Sequence, residues 1–516
     1  MTIFTSPHAD VPLRDQSITE RIFEGLEGRD DDTVLVDGPS GRSLTGAEFR
    51  DQVQRLANGL WDRGIGPGKV VALMAPNCPE YCVIFHAVAW AGATITTINP
   101  TYTAKEVTHQ LTDAGAMLLI TVPPFLETAQ TGAKDTGVTE IAVIGEAEGA
   151  TPLATLMSDA PMPVQTPVDL DSHTVVLPYS SGTTGLPKGV MLSHRNLVVN
   201  VDQIIAAADF RPGETAAGFL PFFHIYGMTV LMNVHLAGGG CVVTLPRFDL
   251  ELFLRISADH KARRMWIVPP VALALAKHPM VDDFDLSSIE QTFSGAAPMG
   301  RELSDAVGKR LNCVSLQGYG MTELSPVSHV TRFSDPVSGG SGVAVPNTLC
   351  RIVDSETGAD LGPDEEGELW IKGPQVMQGY LNNDAATAET IVDGGWLRTG
   401  DIARIDDGGT MFIVDRLKEL IKYKGFQVPP AEVEATLVAM DGVTDAAVVG
   451  KPDDAAGELP VAFVVVAEGG PDDDAIHAHL KGALAPYKQV HAIHRVEEIP
   501  KSASGKILRR LLRDRL

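Results

Sequence analysis

The chain has 516 residues, enough to bury a large core and to form roughly two to four domains. Hydrophobic residues make up 44% and charged residues 21%, as in an ordinary globular protein, and acidic residues exceed basic ones to give a formal net charge of −25. Such a charge repels nucleic acid and anionic membranes, which excludes nucleic acid as a partner. It also requires any phosphate site to be built from local donors.

The cysteines and the apolar segments of the sequence indicate in which cellular compartment the protein acts. Five scattered cysteines without a CxxC pair favour reduced thiols over a disulfide framework or a zinc site. The N-terminal residues lack the apolar segment of a signal peptide, and the longest apolar run, near 81–91, is too short to span a bilayer. We therefore expect a cytoplasmic protein without a membrane span, acting as a monomer or a homodimer.

Short β-rich runs alternate with helical stretches through most of the chain. The first unit is a strand at 69–74, a helix at 80–90 and a strand at 94–98. Strand-like runs recur at 117–122, 140–144, 240–245, 265–268 and 291–294. This rhythm predicts an α/β fold whose large N-terminal domain has parallel or mixed sheets flanked by helices.

The pattern changes after Gly400. Residues 401–415 read as two short strands around the turn 406–409, followed by a charged segment. Helices are predicted at 430–439 and 472–484, and strands at 444–449 and 461–466. We predict an N-terminal domain of residues 1–415 and a small mobile α+β domain of residues 416–516, with a hinge near 415–418.

The strongest local signal is YSSGTTGLPKGVMLSH at 179–194, directly after an apolar strand at 174–177. Glycines let a backbone approach polyphosphate closely, hydroxyls and N–H groups donate to its oxygens, and Lys188 adds a charge. The spacing does not satisfy the Walker motif GxxxxGK[ST]. By composition alone, a flexible Gly/Ser loop is the alternative.

The full string SSGTTGLPKG resembles the signature of the adenylate-forming superfamily, which contains acyl- and aryl-CoA ligases, luciferases and peptide-synthetase adenylation domains. Further motifs follow in that superfamily's order and cover nearly the whole chain: FFHIYG at 222–227, SGAAP at 294–298, QGYGMTE at 317–323, WLRTGD at 396–401, DRLKELIKYKGFQ at 415–427 and PKSASGK at 500–506. Their wording is most similar to the 4-coumarate–CoA ligases and the luciferase-like acyl-CoA ligases.

The resemblance implies an ATP-dependent carboxylic acid–CoA ligase that uses a small-molecule acid, ATP, CoA and Mg²⁺. The acid and ATP would give acyl-AMP and pyrophosphate, and the CoA thiol would then displace AMP. Lys506 must leave before CoA enters, so the C-terminal domain is expected to rotate about Lys418 between the half-reactions.

Catalytic roles follow from the matching positions. Lys506 is expected to reach the α-phosphate and the substrate carboxylate, where charge gathers in the transition state. In isolation, a lysine in a basic tail is usually solvated. His224 is expected to be a positioning donor, although a histidine between aromatic residues is more often part of a core. The full set of implied catalytic residues is Lys506, His224, Lys422, Gln427, Lys188 and Thr322.

Nucleotide binding is assigned in the same way. Glu323 is the implied Mg²⁺ ligand, because this hard cation keeps most of its waters and needs only one or two carboxylates. Tyr319 offers a face for adenine, and Asp401, otherwise a turn residue, offers an acceptor for ribose. The implied ATP and AMP residues are Ser180, Ser181, Gly182, Thr183, Thr184, Gly185, Lys188, Gly295, Ala296, Ala297, Pro298, Gln317, Gly318, Tyr319, Gly320, Thr322, Asp401, Ile413, Arg416 and Lys506.

The same resemblance implies where CoA and the acyl group bind. Arg247, Lys424 and Gly425 are the implied CoA residues, with Arg247 standing where plant ligases carry a lysine. The implied acyl-pocket residues are Tyr226, Thr229, Val230, Phe293, Gly295, Ala296, Gly318, Val327 and Ser328. Thr229 and Ser328 are expected to satisfy a ring hydroxyl.

The acid itself is left open between two classes. A hydroxycinnamate-like aryl acid is the main hypothesis. Plant ligases usually read HIYALNS where this chain reads HIYGMTV, and they often have lysine at the position of Phe293. A medium- or long-chain fatty acid is therefore the alternative.

Three other functions compete with acid–CoA ligation. A luciferase would share the same machinery. A peptide-synthetase adenylation domain is disfavoured, because only ten residues follow Lys506 and 222–227 lacks an Asp. A non-catalytic scaffold is disfavoured by the presence of Lys506, Glu323 and the phosphate-loop motif.

Overall fold

The structure is a computed structural model of the chain. It describes residues 2–180, 187–392, 394–424, 426–453, 456–502 and 505–516.

Strands occur throughout the described residues. They are β1 (Phe4–Thr5), β2 (Thr33–Asp37), β3 (Ser43–Thr45), β4 (Val70–Met74), β5 (Thr94–Thr97), β6 (Ala116–Thr121), β7 (Glu140–Val143), β8 (Thr151–Pro152), β9 (Thr174–Ser180), β10 (Lys188–Ser193), β11 (Thr215–Gly218), β12 (Cys241–Thr244), β13 (Arg264–Ile267), β14 (Gln291–Ser294), β15 (Val314–Gly320), β16 (Val327–Val330), β17 (Val343–Ala344), β18 (Leu349–Val353), β19 (Gly367–Lys372), β20 (Gly379–Tyr380), β21 (Ile391–Val392), β22 (Trp396–Ile405), β23 (Met411–Arg416), β24 (Ile421–Tyr423), β25 (Phe426–Val428), β26 (Val443–Asp453), β27 (Gly457–Val466) and β28 (Ala492–Arg495).

Helices alternate with these strands over most of the chain. The α-helices are α1 (Ile18–Gly25), α2 (Gly46–Asp62), α3 (Pro79–Trp90), α4 (Ala104–Ala114), α5 (Leu126–Ala133), α6 (His194–Ala207), α7 (Val234–Ala237), α8 (Leu250–Asp259), α9 (Pro269–Lys277), α10 (Arg301–Leu311), α11 (Asp384–Thr390), α12 (Pro430–Ala439), α13 (Asp473–Ala483) and α14 (Arg509–Arg513). A π-helix spans Tyr226–Asn233.

The largest sheet has the strand order β20-β10-β9-β5-β4-β6-β7-β8. Strands β4 to β9 pair in parallel, whereas β10 is antiparallel to β9 and β20 is antiparallel to β10. Helix α3 is buried along almost its whole length, which explains why its sequence is apolar on all sides. Pro79 at its first turn has the fixed φ and missing N–H that suit a helix start.

Three further sheets complete the large N-terminal unit. Strands β13, β14 and β15 are parallel and continue into antiparallel β16 and β17. A four-stranded sheet has the order β11-β12-β2-β3, and a six-stranded sheet contains β1, β18, β19, β21, β22 and β23. Ligands of α/β proteins bind beyond the carboxyl ends of parallel strands, which here are β9, β14 and β15.

The C-terminal unit has a sheet of its own, β25-β24-β27-β26 with β28 beside β27. Helices α12 and α13 cover one face, where the core contains Val433, Leu437, Ile476 and Leu480. A second small core on the other face includes Phe463, Ile499 and Leu512. Both cores consist of residues beyond 420. The α/β fold with a small α+β unit confirms the predicted fold class, while the boundary at 415–416 stays a prediction.

Among the described residues, no helix combines the length and the apolarity needed to cross a membrane.

Two buried histidines, His86 of α3 and His194 of α6, contact the start of helix α1 at Thr19 and Ile18. Burial lowers the pKa of His86 and of His194 to about 3, and the neighbours His173 and His86 lower that of His194 further. In the unfolded chain both imidazoles have the ordinary pKa of about 6.5. The unfolded state therefore binds more protons between pH 6.5 and 3, so their contribution to stability is complete above pH 6.5 and is lost as the pH falls below it.

We predict that the free energy of unfolding falls by about 1–2 kcal/mol per buried histidine between pH 7.5 and pH 5. Urea denaturation at several pH values measures this slope. His86→Gln should flatten the slope, whereas His260→Gln, at an exposed position, should leave it unchanged. Equal slopes in wild type and His86→Gln would contradict the assignment.

Candidate active site

The phosphate-loop motif connects β9 to β10. Ser180 and Lys188 are Cα partners at the ends of these strands. The predicted residues Ser181, Gly182, Thr183, Thr184 and Gly185 lie outside the described residues. Before the loop, the Tyr179 hydroxyl donates to Asp113 Oδ2 at 2.6 Å, and this contact fixes the end of β9.

Two predicted phosphate-side residues share one tyrosine that the sequence analysis missed. The Lys188 ammonium lies 4.0 Å from the centre of the Tyr380 ring. The Tyr380 hydroxyl donates to Glu323 Oε1 at 2.8 Å. Glu323 is buried in the short turn after β15, next to Thr322. Tyr380 thus holds the loop lysine and the expected metal ligand at a fixed separation.

A cavity of about 580 Å³ opens where the carboxyl ends of β9, β14 and β15 meet. It brings together many of the predicted residues, from the phosphate side, the acyl side and the hinge. The predicted residues that line it are Ser180, Lys188, His224, Tyr226, Val230, Phe293, Gly295, Ala296, Gly318, Tyr319, Gly320, Thr322, Glu323, Val327, Arg416, Lys418 and Lys506.

The ribose-motif carboxylate lies just behind this lining. Asp401 Oδ2 accepts from the Tyr319 hydroxyl at 2.6 Å, and Asp401 Oδ1 lies 3.0 Å from Arg416 Nε. Burial raises the pKa of Tyr319 well above its usual range, and the Asp401 charge adds to this effect. The phenol therefore stays protonated. Ile413 lies on β23, paired with Ala403 of β22.

The loop after β14 shapes the next part of the wall. Ala296 has a φ of 70°, a conformation that a non-glycine residue adopts only under local constraint. Gln317 constrains the loop through its side-chain amide. Its Oε1 accepts the Met299 N–H at 3.0 Å, and its Nε2 donates to the Met299 carbonyl at 3.1 Å. Gln317, Ala297 and Pro298, which were predicted to bind the nucleotide, do not line the cavity.

His224 lies beside the tip of the C-terminal unit. Burial lowers the pKa of His224 to about 4, and the Lys506 ammonium lowers it further. His224 Nδ1 accepts the backbone N–H of Tyr226 at 3.3 Å. The neutral ring therefore carries its proton on Nε2, which makes it a hydrogen-bond donor at neutral pH. The positioning role of His224 stays a prediction.

Lys506 reaches the cavity from the turn between β28 and α14. Burial lowers the pKa of Lys506 to about 8, and the guanidinium of Arg416 lowers it too, against the carboxylates of Glu419 and Asp401. Two cations therefore face one space that also contains Thr322 and Glu323. Such a group of charges attracts an anion.

The expected CoA and hinge-loop residues lie elsewhere. Lys422 and Gln427 are Cα partners on the exposed hairpin β24–β25, and Lys424 lies at its turn. Arg247 is exposed between β12 and α8. None of these four lines the cavity in this orientation. Gly425 lies outside the described residues.

Two predicted acyl-pocket residues need correction. Thr229 and Ser328 are fully buried but do not line the cavity. Thr229 belongs to the π-helix, which places Tyr226 and Val230 in the wall. Ser328 hydrogen-bonds His329 Nδ1 at 3.0 Å. The pairing of β16 with β15 shifts between Tyr319–His329 and Gly320–Val327, so Ser328 is the extra residue of a bulge. Val327 and Val330, on either side of this irregularity, line the cavity, while Ser328 does not.

Part of the acyl-side wall was not predicted from the sequence. Trp266 packs against Phe293 with ring centres 5.0 Å apart, and its indole N–H donates to His235 Nε2 at 2.8 Å. Ile204 and Ala208 of the α6 region and Val330 of β16 extend this apolar wall. These residues lie in ordinary strand and helix patterns without a motif, so the only signal available was alignment with relatives of known structure.

A metal site is the remaining expectation. The described residues contain no group of three or more His, Cys, Asp or Glu side chains arranged to hold an ion. A single buried carboxylate, Glu323, fits Mg²⁺, because that ion keeps water and phosphate oxygens as its other ligands.

Comparison with known proteins identifies the family. Residues 22–381 match the family of AMP-binding enzymes, and residues 432–506 match the C-terminal domain of AMP-binding enzymes. The chain belongs to the AMP-binding enzyme family.

Relatives match over the whole chain. It is 42% identical to 4-coumarate–CoA ligase 5 of Oryza sativa subsp. japonica, with 100% of this chain and 97% of the relative covered. It is 39% identical to 4-coumarate–CoA ligase 1 of Arabidopsis thaliana, with 100% and 95% covered.

Solved structures show the same fold. ATP-bound MatB from Rhodopseudomonas palustris superposes with a TM-score of 0.88 at 29% identity, covering 97% of this chain and 98% of that one. The anthranilate CoA ligase AuaEII with anthranoyl-AMP gives a TM-score of 0.90 at 25% identity, covering 98% of both chains.

We predict that the Lys506 amine titrates near pH 8 in the folded protein, below the 10.5 of an ordinary lysine. Competitive labelling with an amine-specific anhydride from pH 6.5 to 10.5, read by peptide mass, measures the midpoint. The same lysine in urea-unfolded protein should titrate at the ordinary value. AMP should raise the folded midpoint, because a nearby phosphate favours the ammonium. Identical folded and unfolded midpoints would show that Lys506 is solvated.

Proposed function

We propose that the protein is an ATP-dependent carboxylic acid–CoA ligase that forms an acyl-adenylate and transfers its acyl group to CoA. The main support for this reaction is that Lys506 of the C-terminal unit lines the same cavity as Thr322, Glu323 and His224 of the N-terminal unit. The full-length similarity to 4-coumarate–CoA ligases supports the same reaction.

In the first half-reaction, a carboxylate oxygen attacks the α-phosphorus of ATP, and the bond to pyrophosphate breaks. Lys506 neutralises the α-phosphate oxygens, and Thr322 donates a hydrogen bond to them. The Nε2–H of His224 orients the carboxylate. Lys188 and the loop around it hold the departing pyrophosphate. Bound at Glu323, Mg²⁺ would neutralise charge on the phosphate oxygens.

The other end of the nucleotide is held by fixed groups. Tyr319 stacks on adenine, while Asp401 and Arg416 bind ribose. The hydrogen bond between Tyr319 and Asp401 keeps the ring and the carboxylate in register before ATP arrives. Such preorganisation avoids reordering the site during binding.

In the second half-reaction, the CoA sulfur attacks the acyl carbon, AMP leaves and the thiol proton passes to solvent. Rotation of residues 416–516 about Lys418 removes Lys506 and brings in the hairpin with Lys422, Lys424 and Gln427. The position of these three outside the cavity supports such a rotation, because each would otherwise have no access to the intermediate. Arg247 then binds CoA phosphate.

An aryl acid of the hydroxycinnamate type fits the acyl side best. The rings of Tyr226, Phe293 and Trp266 line the cavity together with Gly295 and Gly318, which carry no side chain to fill it. The printed substrate of the relatives, 4-coumarate, has one flat ring on a short chain. Aromatic walls favour such a ring by offset or edge contacts.

A medium-chain fatty acid is the second candidate. It is favoured by the burial of Thr229 and Ser328 behind the wall, which leaves a ring hydroxyl without these two partners. A desolvated hydroxyl without a partner loses about 1–3 kcal/mol. Unsubstituted cinnamate has the flat ring but no ring hydroxyl that needs a partner, so it is the best acid to test first.

Acid-dependent ATP–pyrophosphate exchange tests the first half-reaction, and CoA-dependent AMP release tests the second. The panel is cinnamate, 4-coumarate, benzoate, anthranilate and fatty acids of increasing length, each with Mg²⁺ and with chelator. Exchange with at least one acid is expected. Exchange with no acid would refute acyl-adenylate formation, and exchange without CoA-dependent AMP release would refute ligation to CoA.

We predict that Lys506→Ala lowers the rate of adenylation at least ~10²-fold, the loss expected for one charge partner of the transition state. Thioester formation from synthetic acyl-AMP should fall far less, because Lys506 is absent from the second step. Lys451→Ala, at an exposed position of the same unit, is the control and should change neither rate. Equal losses in both half-reactions would contradict the claim that Lys506 acts in adenylation and not in thioester formation.

We predict that Gly295→Val narrows the acyl pocket. A Cβ at Gly295 would lie 3.1 Å from the Tyr226 ring, so the larger side chain must displace that ring or fill the pocket. The ratio of kcat/KM for cinnamate to that for butyrate should fall about 10-fold or more. Gly482→Val, where a Cβ meets nothing within 4 Å, should leave the ratio unchanged. An unchanged ratio in Gly295→Val would place the acyl group elsewhere.

A further inference from the structure

A buried ion cluster lies between helix α14 and residues 415–419, the hinge segment. Arg509 Nη1 lies 2.6 Å from Glu419 Oε2, and Arg509 Nη2 lies 2.7 Å from Glu434 Oε2. All three side chains are only 10–12% exposed. Ion pairs at this depth are weakly screened and depend strongly on geometry.

The cluster spans the segment in which the rotation is proposed. Glu419 directly follows Lys418, and Asp415 lies three residues before Lys418. Asp415 Oδ2 accepts the backbone N–H of Ala431 at the start of α12 at 2.9 Å. Burial raises the pKa of Asp415 to about 7, although the Arg509 charge opposes the rise. Arg509 is thus the cation around which the acidic groups of the hinge are arranged.

Arg509 is also linked to Lys506 by a short, braced segment. Lys501 and Ile507 form an antiparallel bridge, and the Leu508 N–H donates to the Pro500 carbonyl at 2.8 Å. The Lys501 ammonium lies 2.6 Å from Asp445 Oδ2. A displacement of Arg509 is therefore transmitted to the position of the Lys506 side chain.

We propose that the Glu419–Arg509 ion pair is a positioning device that couples the hinge to Lys506 and sets the catalytic lysine in the cavity during adenylation. Arg509 and Glu419 touch no substrate and act through Lys506. The inference rests on the proposed function.

Geometry explains why an ion pair suits this task. A planar guanidinium binding two carboxylates on two sides fixes both distance and angle. Glu434 accepts the Val448 N–H at 2.7 Å, so one carboxylate is anchored to β26 of the C-terminal sheet. The other carboxylate, Glu419, belongs to the hinge segment. The pair therefore makes the hinge segment and the Lys506 turn move as one body.

Two changes at Glu419 test the proposal. Glu419→Gln removes the charge and keeps the length, and Glu419→Asp keeps the charge and shortens the reach. Each should lower the rate of ATP–pyrophosphate exchange about 10-fold, the scale of one lost charge-assisted hydrogen bond. Thioester formation from synthetic acyl-AMP should change less than about 3-fold, because Lys506 takes no part in that step.

A matched control is the ion pair between Glu432 and Lys488 in the same unit, whose atoms lie 2.5 Å apart. Glu432→Gln removes the same charge from α12 but does not touch the hinge segment. It should leave both half-reactions unchanged. Urea denaturation of each variant separates loss of folded protein from a change in rate.

Coupling to Lys506 is the decisive readout. If Glu419 acts through the lysine, Glu419→Gln should have no further effect on exchange in a Lys506→Ala background. A full additional 10-fold loss there, or equal losses of Glu419→Gln in both half-reactions, would overturn the proposal. Failure of the wild-type enzyme to exchange with any acid would instead refute the proposed function itself.

Discussion

Repulsion between two cations, Lys506 and Arg416, is the interaction on which the site depends. Both line one cavity, and their proximity adds to the burial that lowers the pKa of Lys506 to about 8. A phosphate placed between them relieves this repulsion. The arrangement explains how a chain with a formal net charge of −25 can hold a polyanion: the attraction comes from a few desolvated charges and not from the overall field.

The two cations can bind a phosphate in one defined position only if the polar groups on the opposite wall of the cavity are also held in place. The N-terminal unit holds these polar groups in place because they lie at strand ends and are joined by short hydrogen bonds. Tyr380 bonds Glu323 and supports Lys188, Tyr319 bonds Asp401, and Gln317 braces the loop after β14. Tyr380, Gln317, Glu323 and Asp401 are buried, so their hydrogen bonds are shielded from water. The large unit therefore holds its polar groups in place through internal hydrogen bonds, and the small unit contributes Lys506 to the same cavity.

The sequence predicts much of this architecture because local signals agree with the tertiary fold. The helix Pro430–Ala439 lies where it was expected, and the turn at 406–409 does join β22 to β23. The motif residues that line the cavity follow strand ends, where side chains are positioned by the sheet. Roles of the individual residues remain proposals.

The misses have physical causes. The π-helix Tyr226–Asn233 has no sequence signature distinct from an α-helix, and its wider winding decides that Val230 and not Thr229 lines the cavity. Ser328 was assigned to the pocket beside Val327, but the register between β15 and β16 shifts at Ser328, and a bulge of this kind has no signature in the sequence. Trp266 belongs to a fully buried strand, and a pattern of burial does not show which cavity a side chain borders.

Strand alternation also connects the nucleotide site to the hinge. Arg416 and Asp415 are consecutive residues at the end of β23 and therefore point in opposite directions. Arg416 turns to Asp401 and the nucleotide side, whereas Asp415 turns to Ala431 and the ion cluster around Arg509. In the proposed reaction, a shift of this strand end on loss of pyrophosphate or AMP would move both contacts. The proposed coupling between the nucleotide and the orientation of the small unit therefore needs only these two adjacent side chains and no separate relay between them.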